Sequence, residues 1–164
     1  MTKETYIKIT DPLRKHPAKA RVVIMINRIL TALVYLAYPI FLLVLLLRQD
    51  PFLLRAVLVP AISFLAVTLF RKWLNAPRPY EKFGIAPVIA KETKGNSFPS
   101  RHVFSTFVIA MTIYAQCPVA GVLLFLVGVG ISVIRVLGGV HEPKDVIAGA
   151  LIGILCGVLG YYLI

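Results

Sequence analysis

Three short polar clusters in this sequence carry side chains that can perform phosphoryl chemistry. They are Arg71 with Arg78-Pro79, then Pro99-Ser100-Arg101-His102, and finally Arg135, His141 and Asp145. Arginine offers a planar fork of donors that suits phosphate oxygens, and histidine can act as a nucleophile or transfer a proton. The sequence has no cysteine cluster and no His-Glu-x-x-His motif that would indicate a metal site. This inventory favours phosphoryl transfer through histidine without a metal or other cofactor.

The third cluster has the spacing of an oriented histidine. Pro143 suits the first turn of a helix, so Asp145 falls in that turn and His141 precedes it. Asp145 can then accept a hydrogen bond from one ring nitrogen of His141, which fixes the tautomer and leaves the other nitrogen as a nucleophile or base. The alternative is that both residues lie at the membrane interface and only cap the helix.

The second cluster resembles a helix start at an anion site. Ser100 is a plausible N-cap, and the free backbone N–H groups of a helix N-terminus attract anions. His102 falls in the first turn, from which a protonated imidazole can deliver a proton to a leaving group. The alternative is a capped helix with an incidental histidine, and any single arginine can equally be the positive flank of a membrane span.

The elements that must position these clusters are apolar runs of membrane-spanning length. The chain has 164 residues, is 59% hydrophobic and has a mean hydropathy of +0.84. Long apolar runs of this kind indicate transmembrane helices. We therefore predict an all-α integral membrane bundle of about five transmembrane helices, with spans near 29–47, 53–70, 103–117, 119–137 and 146–164.

Counting spans places the chemistry on one side of the membrane. The segment 71–100 joins the second and third spans, and 138–144 joins the fourth and fifth. Both loops therefore face the same side. We divide the chain into a basic N-terminal segment, 1–28, and a membrane domain, 29–164. The beginning of the N-terminal segment either lies on the membrane surface or forms a loosely ordered tail.

Charge and small residues give two further expectations. The formal net charge of +11 comes from basic residues that flank apolar spans, which favours lipid headgroups and phosphate over nucleic acid as partners. Gly149, Gly153 and Gly157 recur every four residues and predict a face for close helix packing. The oligomeric state is not readable from the sequence.

The order and spacing of the clusters resemble the type 2 phosphatidic acid phosphatase superfamily of membrane lipid phosphatases. Its pattern is Lys, six residues, Arg-Pro; then Pro-Ser-Gly-His; then Ser-Arg, five residues, His, three residues, Asp. The resemblance covers roughly residues 53–164, and all the gaps are intact. Arg71 replaces the Lys, Arg101 the Gly and Ile134 the Ser. Members commonly have six spans, so one peripheral helix is expected to be absent.

The resemblance implies a role for each matching residue. His141 is the nucleophile that forms a phosphohistidine, Asp145 orients it, and His102 protonates the leaving group and then activates water. The phosphate-binding set is Arg71, Arg78, Ser100, Arg101 through its backbone, and Arg135. Arg101 adds a side chain beside the phosphate, which is expected to alter substrate fit.

We therefore expect a metal-independent membrane phosphatase acting on a lipid phosphate. Candidate substrates are undecaprenyl diphosphate, phosphatidylglycerol phosphate and phosphatidic acid. A phosphotransferase and a non-enzymatic lipid-phosphate binder or transporter are the alternatives. A multi-pass location in the cell membrane follows. The basic N-terminus puts the site in the cytoplasm by the positive-inside rule, whereas the resemblance favours the extracytoplasmic side, which we adopt.

Overall fold

The computed structural model describes residues 1–163, and every regular element among them is helical. Seven α-helices follow one another along the chain, and Leu159–Leu163 continues the last as a π-helical turn. The helices are α1 (Lys3–Arg14), α2 (Pro17–Leu47), α3 (Phe52–Leu74), α4 (Pro79–Phe83), α5 (Arg101–Tyr114), α6 (Pro118–Leu137) and α7 (Pro143–Val158). The all-α prediction is confirmed.

Proline sets several helix starts. Helices α2, α4, α6 and α7 all have proline in the first turn, where its missing N–H removes no hydrogen bond and its fixed φ already suits the helix. At the other end of α3, Asn75 adopts a left-handed conformation, with φ 42°, that closes the helix before the polar segment begins. Local chemistry thus fixes most of the boundaries that flank the polar loops.

Four segments of the described chain are long and apolar enough to cross a membrane. They are Pro17–Leu47, Phe52–Phe83, Pro118–Leu137 and Pro143–Leu163. Their outer faces expose large apolar side chains such as Leu36, Leu126 and Leu151, which in a membrane contact lipid instead of water. These segments match four of the predicted spans, although the first begins at Pro17 and not near residue 29. The last residue of the fifth predicted span, Ile164, lies outside the described residues.

The remaining predicted span corresponds to α5, which is the central helix of the bundle. It has 14 residues, ends at Tyr114 and is buried along most of its length by α6 and α7. At 1.5 Å per residue it is about 21 Å long, which is shorter than the hydrocarbon core of a bilayer. Neighbouring helices surround α5, so most of its surface contacts protein and not lipid. Together with the four membrane-length segments, α5 forms a bundle of five helices.

The predicted glycine face holds α5 against α7, which confirms that expectation. A Cβ atom added at Gly149 would lie 2.7 Å from the carbonyl oxygen of Ser100, and one at Gly153 would lie 2.8 Å from that of Phe104. Real Cβ atoms do not approach backbone oxygens so closely, so only glycine permits this helix spacing. The close contact brings the beginning of α7 beside the beginning of α5.

The N-terminal helix α1 is ordered and packs on the polar end of the bundle. Tyr6 and Thr10 are buried. The Tyr6 hydroxyl lies 3.1 Å from the carbonyl oxygen of Gly139 and 3.3 Å from that of Ile85, and it can donate a hydrogen bond to either. A loosely ordered tail does not describe this segment. Residue 28, the last residue of the predicted basic segment, lies within α2.

Candidate active site

The polar end of the bundle gathers three segments that are distant in sequence. The end of α3, the segment that leads into α5, and the loop between α6 and α7 meet there. Their buried polar side chains are Arg71, Arg78, Ser97, Ser100, Arg135, His141, Glu142 and Asp145. Six of the eight residues that the sequence singled out belong to this buried group. The seventh, His102, is at the beginning of α5 in the same region, and the eighth, Arg101, lies at its edge.

Backbone hydrogen bonds hold the segments together. The N–H of Ser100 donates to the carbonyl of Asp145 at 2.8 Å, which links the beginnings of α5 and α7 directly. The N–H of His141 donates to the carbonyl of Arg135 at 3.3 Å, so the loop stays close to the end of α6. Because these are main-chain contacts, they hold the beginnings of α5 and α7 and the end of α6 together without the help of side chains.

His141 and Asp145 form the pair that their spacing predicts. His141 Nδ1 lies 3.4 Å from Asp145 Oδ2, and both side chains are almost fully buried. The same Oδ2 accepts a hydrogen bond from the N–H of Glu142 at 3.0 Å. The carboxylate is therefore fixed by the backbone at the beginning of α7, and it faces Nδ1 of the imidazole.

Ser97 is a member of this group that the sequence analysis missed. Its hydroxyl donates a 2.6 Å hydrogen bond to Asp145 Oδ2, and Oγ lies 3.4 Å from His141 Nδ1. Ser97 is fully buried, although it comes from an irregular segment with charged residues nearby. The available signal was its position just before Phe98-Pro99-Ser100, but no spacing rule connects a loop serine with an aspartate nearly fifty residues later.

The environment of His141 keeps its ring neutral. Burial lowers the pKa of His141 from 6.5 to about 4; the hydrogen bond with Asp145 opposes this shift, and the charges of Arg135 and Arg78 add to it. A neutral imidazole has one protonated and one free nitrogen. If Nδ1 carries the proton toward Asp145, Nε2 has the free lone pair that a nucleophile requires.

His102 lies near His141 and several cations. Arg135, His141, Lys91 and Arg101 are close enough for their charges to interact with its ring. His102 also lines a cavity of about 250 Å³ that Arg101 and Phe64 border. The ring therefore lies near the buried nucleophile candidate and also borders an open space.

Ser100 and Arg135 each have a buried polar atom without a partner. Ser100 occupies the N-cap position of α5, as expected, but its hydroxyl makes no capping hydrogen bond. Ser100 Oγ and Arg135 Nε are both buried and have no hydrogen-bond partner among residues 1–163. Each such group costs free energy while it has no partner, so these two leave hydrogen-bonding capacity in the region of the histidines that a polar ligand could use.

Arg78 and Arg71 are partly engaged with the surrounding loops. Arg78 Nε donates to the carbonyl of Gly95 at 3.1 Å, and its Nη1 lies 3.4 Å from that of Val140. Arg71 donates from Nη1 to the carbonyls of Ser97, at 3.2 Å, and of Pro99, and from Nη2 to that of Asn96. Arg71 therefore fixes the path of the segment that carries Ser97 and Ser100, which the sequence had not suggested.

Arg101 and Lys91 occupy the outer part of the site. The Arg101 guanidinium lies over the ring of Phe64, 5.4 Å from its centre, and the side chain is exposed. Lys91 comes from the irregular segment before α5 and was not singled out from the sequence. It lines a polar cavity together with Arg71, Arg78 and Arg101. A lysine in a long loop rich in charges carries no spacing signal, so only the folded path of the loop identifies it.

An apolar groove leads from the site into the bundle. It has a volume of about 530 Å³ and runs between α2, α3 and α5, with Tyr38, Val57, Pro60 and Ile109 among its lining residues. Val34, Tyr35, Phe64, Ser105 and Ile109 border both this groove and the cavity of His102. The polar site and the apolar groove are therefore adjacent, as the head and the tail of a lipid would require.

Metal ligands do not cluster in the described part of the chain. Within residues 1–163, no group of three or more His, Cys, Asp or Glu side chains could hold a metal ion. The positive charges near the histidines come instead from arginine and lysine.

The comparisons with known proteins agree with this architecture. The family model described as the PAP2 superfamily matches residues 52–164. The bacitracin transport permease protein BcrC of Bacillus licheniformis is 29% identical over 110 residues, which are 65% of this chain and 54% of that protein. The chain thus spans about half the length of this curated relative.

Two crystal structures resemble the fold over nearly the whole chain. LpxE of Aquifex aeolicus has a TM-score of 0.69 at 24% identity, over 96% of this chain and 92% of that one. A transmembrane PAP2 type phosphatidylglycerolphosphate phosphatase of Bacillus subtilis has a TM-score of 0.60 at 21% identity, over 95% and 90% of the two chains. At these identities the likeness shows the arrangement of the helices.

Proposed function

Because this chain belongs to the PAP2 superfamily, we propose that it is a multi-pass membrane phosphatase that hydrolyses a lipid phosphate through a phosphohistidine at His141. The observation that carries this proposal is the buried His141–Asp145 pair beside two unpartnered phosphate-binding groups, Ser100 Oγ and Arg135 Nε. The family match supports the reaction class, and the geometry of the pair supports the roles proposed for its residues.

His141 is the nucleophile of the proposed first step. Its Nε2 attacks the phosphorus atom, a P–N bond forms, and the P–O bond to the leaving group breaks. The ring becomes positively charged in this step, and the carboxylate of Asp145, near Nδ1, stabilises that charge. The low pKa of His141 keeps the lone pair available before the attack.

His102 serves the leaving group in this scheme. It donates a proton to the departing oxygen, then accepts one from the water that attacks the phosphohistidine and releases inorganic phosphate. Its position near His141 and in the lining of the cavity that joins the apolar groove suits both steps. By this route the reaction needs no redox partner and consumes one water molecule.

The transferred phosphoryl group is held by cations and by Ser100. Arg78 and Arg135 lie close enough to His141 for their charges to act on its ring, and Arg135 Nε and Ser100 Oγ are free to donate to phosphoryl oxygens. Arg71 keeps its donors largely on the loop carbonyls, so we assign it the fixing of Ser100 and a contribution of positive charge. Fixed charges of this kind stabilise the transition state of phosphoryl transfer, and we propose that they replace a metal ion.

The groove between α2, α3 and α5 supports a lipid as the substrate. Its lining is almost entirely apolar, it is adjacent to His102, and it lies among helices that cross the membrane. An acyl or prenyl chain fits such a space, whereas a soluble phosphate ester would leave it unused. Undecaprenyl diphosphate, phosphatidylglycerol phosphate and phosphatidic acid are the substrate candidates, at the extracytoplasmic face of the cell membrane.

Transport is the second candidate, because the curated relative is named a transport permease. A binder or transporter requires the cations but not an oriented nucleophile. The buried carboxylate beside His141 is costly to maintain unless it serves chemistry, so the pair favours catalysis.

The test is phosphate release by the purified protein in detergent, with a panel of the three candidate lipids. A metal chelator is added, and His141→Ala is measured in parallel. We expect chelator-resistant release that the variant abolishes. Brief reaction with a labelled lipid phosphate should also leave acid-labile label on the wild-type protein and none on the variant.

Each other outcome contradicts a part of the proposal. Release that the chelator removes would show that a metal ion takes part. No release from any lipid, together with saturable lipid binding, would favour the transporter. Transfer of label to an added alcohol in place of water would identify a phosphotransferase.

A further inference from the structure

A cluster of positive charge extends from Arg71 and Arg78, which the proposed function assigns to the transferred phosphoryl group, toward the outer part of the site. A cavity of about 200 Å³ is lined by Arg71, Lys72, Arg78, Lys91, Lys94 and Arg101, with small polar residues of the loop and of α3. Within the described chain, no aspartate or glutamate lines it. Like charges crowded without a counter-ion repel one another, so such a cavity is more favourable when an anion occupies it.

Four of these cations, Lys72, Lys91, Lys94 and Arg101, make no hydrogen bond or ion pair within the described residues, and Lys91 and Arg101 are the two of them whose charges act on the His102 ring. Arg71 and Arg78, in contrast, are bonded to loop carbonyls. Burial lowers the pKa of Lys91, and repulsion from Arg78, Arg135, Arg101 and Arg71 lowers it further. The ammonium group thus stands in a field of positive charge that a bound anion would neutralise.

Arg101 is placed to contact the leaving group of the proposed reaction. It lines the polar cavity and also the cavity of His102, which joins the apolar groove. A lipid substrate has its reacting phosphorus at His141 and its tail in the groove, so the group between them passes Arg101. In phosphatidic acid that group is neutral glycerol, and in a lipid diphosphate it is a second phosphate.

We propose that Arg101 and Lys91 form a second anion subsite, which binds the phosphate next to the tail and makes a lipid diphosphate the preferred substrate. This inference rests on the proposed function. Stacking on Phe64 holds the guanidinium at the mouth of the groove, and Lys91 faces it from the loop. Arginine binds two phosphate oxygens at once, so the subsite recognises charge and geometry together.

The reaction with a diphosphate is balanced without a further reactant. His141 Nε2 attacks the terminal phosphorus, the bond from that phosphorus to the bridging oxygen breaks, and the lipid monophosphate leaves with the bridging oxygen. Water then hydrolyses the phosphohistidine to inorganic phosphate. The products are one lipid monophosphate and one phosphate, and Arg101 stabilises the negative charge that develops on the leaving group.

The experiment compares two substrates with one tail, undecaprenyl diphosphate and undecaprenyl monophosphate. For the wild-type protein we expect kcat/KM to be at least about tenfold higher for the diphosphate, since one charged hydrogen bond contributes that much. Arg101→Gly and Lys91→Ala should each lower the diphosphate value about tenfold and change the monophosphate value less than about threefold. Arg101→Lys should restore part of the preference. Lys8→Ala, which removes an exposed charge on α1, is the matched control.

Several outcomes would overturn the inference. Equal losses on both substrates would show that Arg101 and Lys91 bind the transferred phosphoryl group itself. A wild-type preference for the monophosphate or for phosphatidic acid would exclude a diphosphate subsite. No release from any substrate by the wild-type protein would instead refute the proposed function.

Discussion

Ser97 Oγ donates a 2.6 Å hydrogen bond to Asp145 Oδ2, the carboxylate oxygen that lies 3.4 Å from His141 Nδ1. The serine belongs to an irregular loop and the aspartate to the first turn of α7. With the N–H of Glu142 as a further donor, the carboxylate has one defined orientation toward the imidazole. The loop before α5 therefore contributes to the orientation of a histidine on a different loop.

Ser97→Ala should lower kcat about tenfold with little change in KM, because the carboxylate loses a strong hydrogen bond but the phosphate contacts remain. Steady-state phosphate release measures both constants, and Ser97→Thr, which keeps the hydroxyl, should recover part of kcat. Ser132→Ala is the control, since among residues 1–163 that hydroxyl bonds only to the Gly128 carbonyl within α6. A rise in KM alone would show that Ser97 acts on binding.

Asp145→Asn should cost about a hundredfold or more in kcat, because the amide cannot stabilise the charged ring and can favour the wrong tautomer. The same release assay measures this, and circular dichroism checks that the variant keeps its helices. Near-normal turnover would remove the orienting role from Asp145.

His141→Ala should abolish turnover, and His102→Ala should reduce it severely, because one removes the nucleophile and the other the proton donor. The third histidine offers a matched control. His16 is exposed at the beginning of α2, so His16→Ala should leave phosphate release unchanged. Activity in the His141 variant would mean that another group receives the phosphoryl group.

His141 should remain neutral well below the ordinary range for histidine. Its pKa is about 4, so the ring is protonated only when the pH falls toward that value, and the nucleophile is available throughout pH 5–8. Nitrogen NMR of labelled histidine, assigned with His141→Asn, should show a neutral ring at pH 6. A titration midpoint near 6.5 would contradict the effect of burial described here.

Gly149→Ala should lower both stability and activity. The added methyl group would lie 2.7 Å from the Ser100 carbonyl, so α5 and α7 must separate and Ser100 must move from Asp145. Overpacking of this kind costs about 1–3 kcal/mol, which thermal unfolding in detergent can detect. Gly130→Ala serves as the comparison, because its methyl group would meet only the flexible end of Leu30, at 3.0 Å. Equal melting temperatures for the two variants would exclude this packing role.

Reporters fused at the two ends of the chain can determine on which side of the membrane the active site lies. The contact of Tyr6 with Gly139 puts α1 on the side of the site, and a five-helix bundle puts residue 163 on the opposite side. We expect a reporter active only in the cytoplasm to work when fused after Ile164 and to fail when fused before Met1. The reverse result would put the site in the cytoplasm, in agreement with the positive-inside rule and against our proposal.

Much of the architecture follows from the sequence because its signals are local. Apolar runs indicate where membrane helices lie, and prolines such as Pro118 and Pro143 mark where they begin. Counting those helices places the polar clusters on one side. The spacing of His141 and Asp145 predicts their contact because one helical turn connects them.

The tertiary structure alone decided which loop residues join the site. The segment between α4 and α5 has no periodic pattern, so nothing local indicates that Ser97 reaches Asp145 or that Lys91 faces Arg101. The docking of α1 through Tyr6 and the bonds of Arg71 to loop carbonyls are likewise contacts between distant parts of the chain. Hydrophobic periodicity indicates which face of one helix is buried. Contacts between distant parts of the chain depend instead on the path of the whole chain, so they are determined only once the helices have packed.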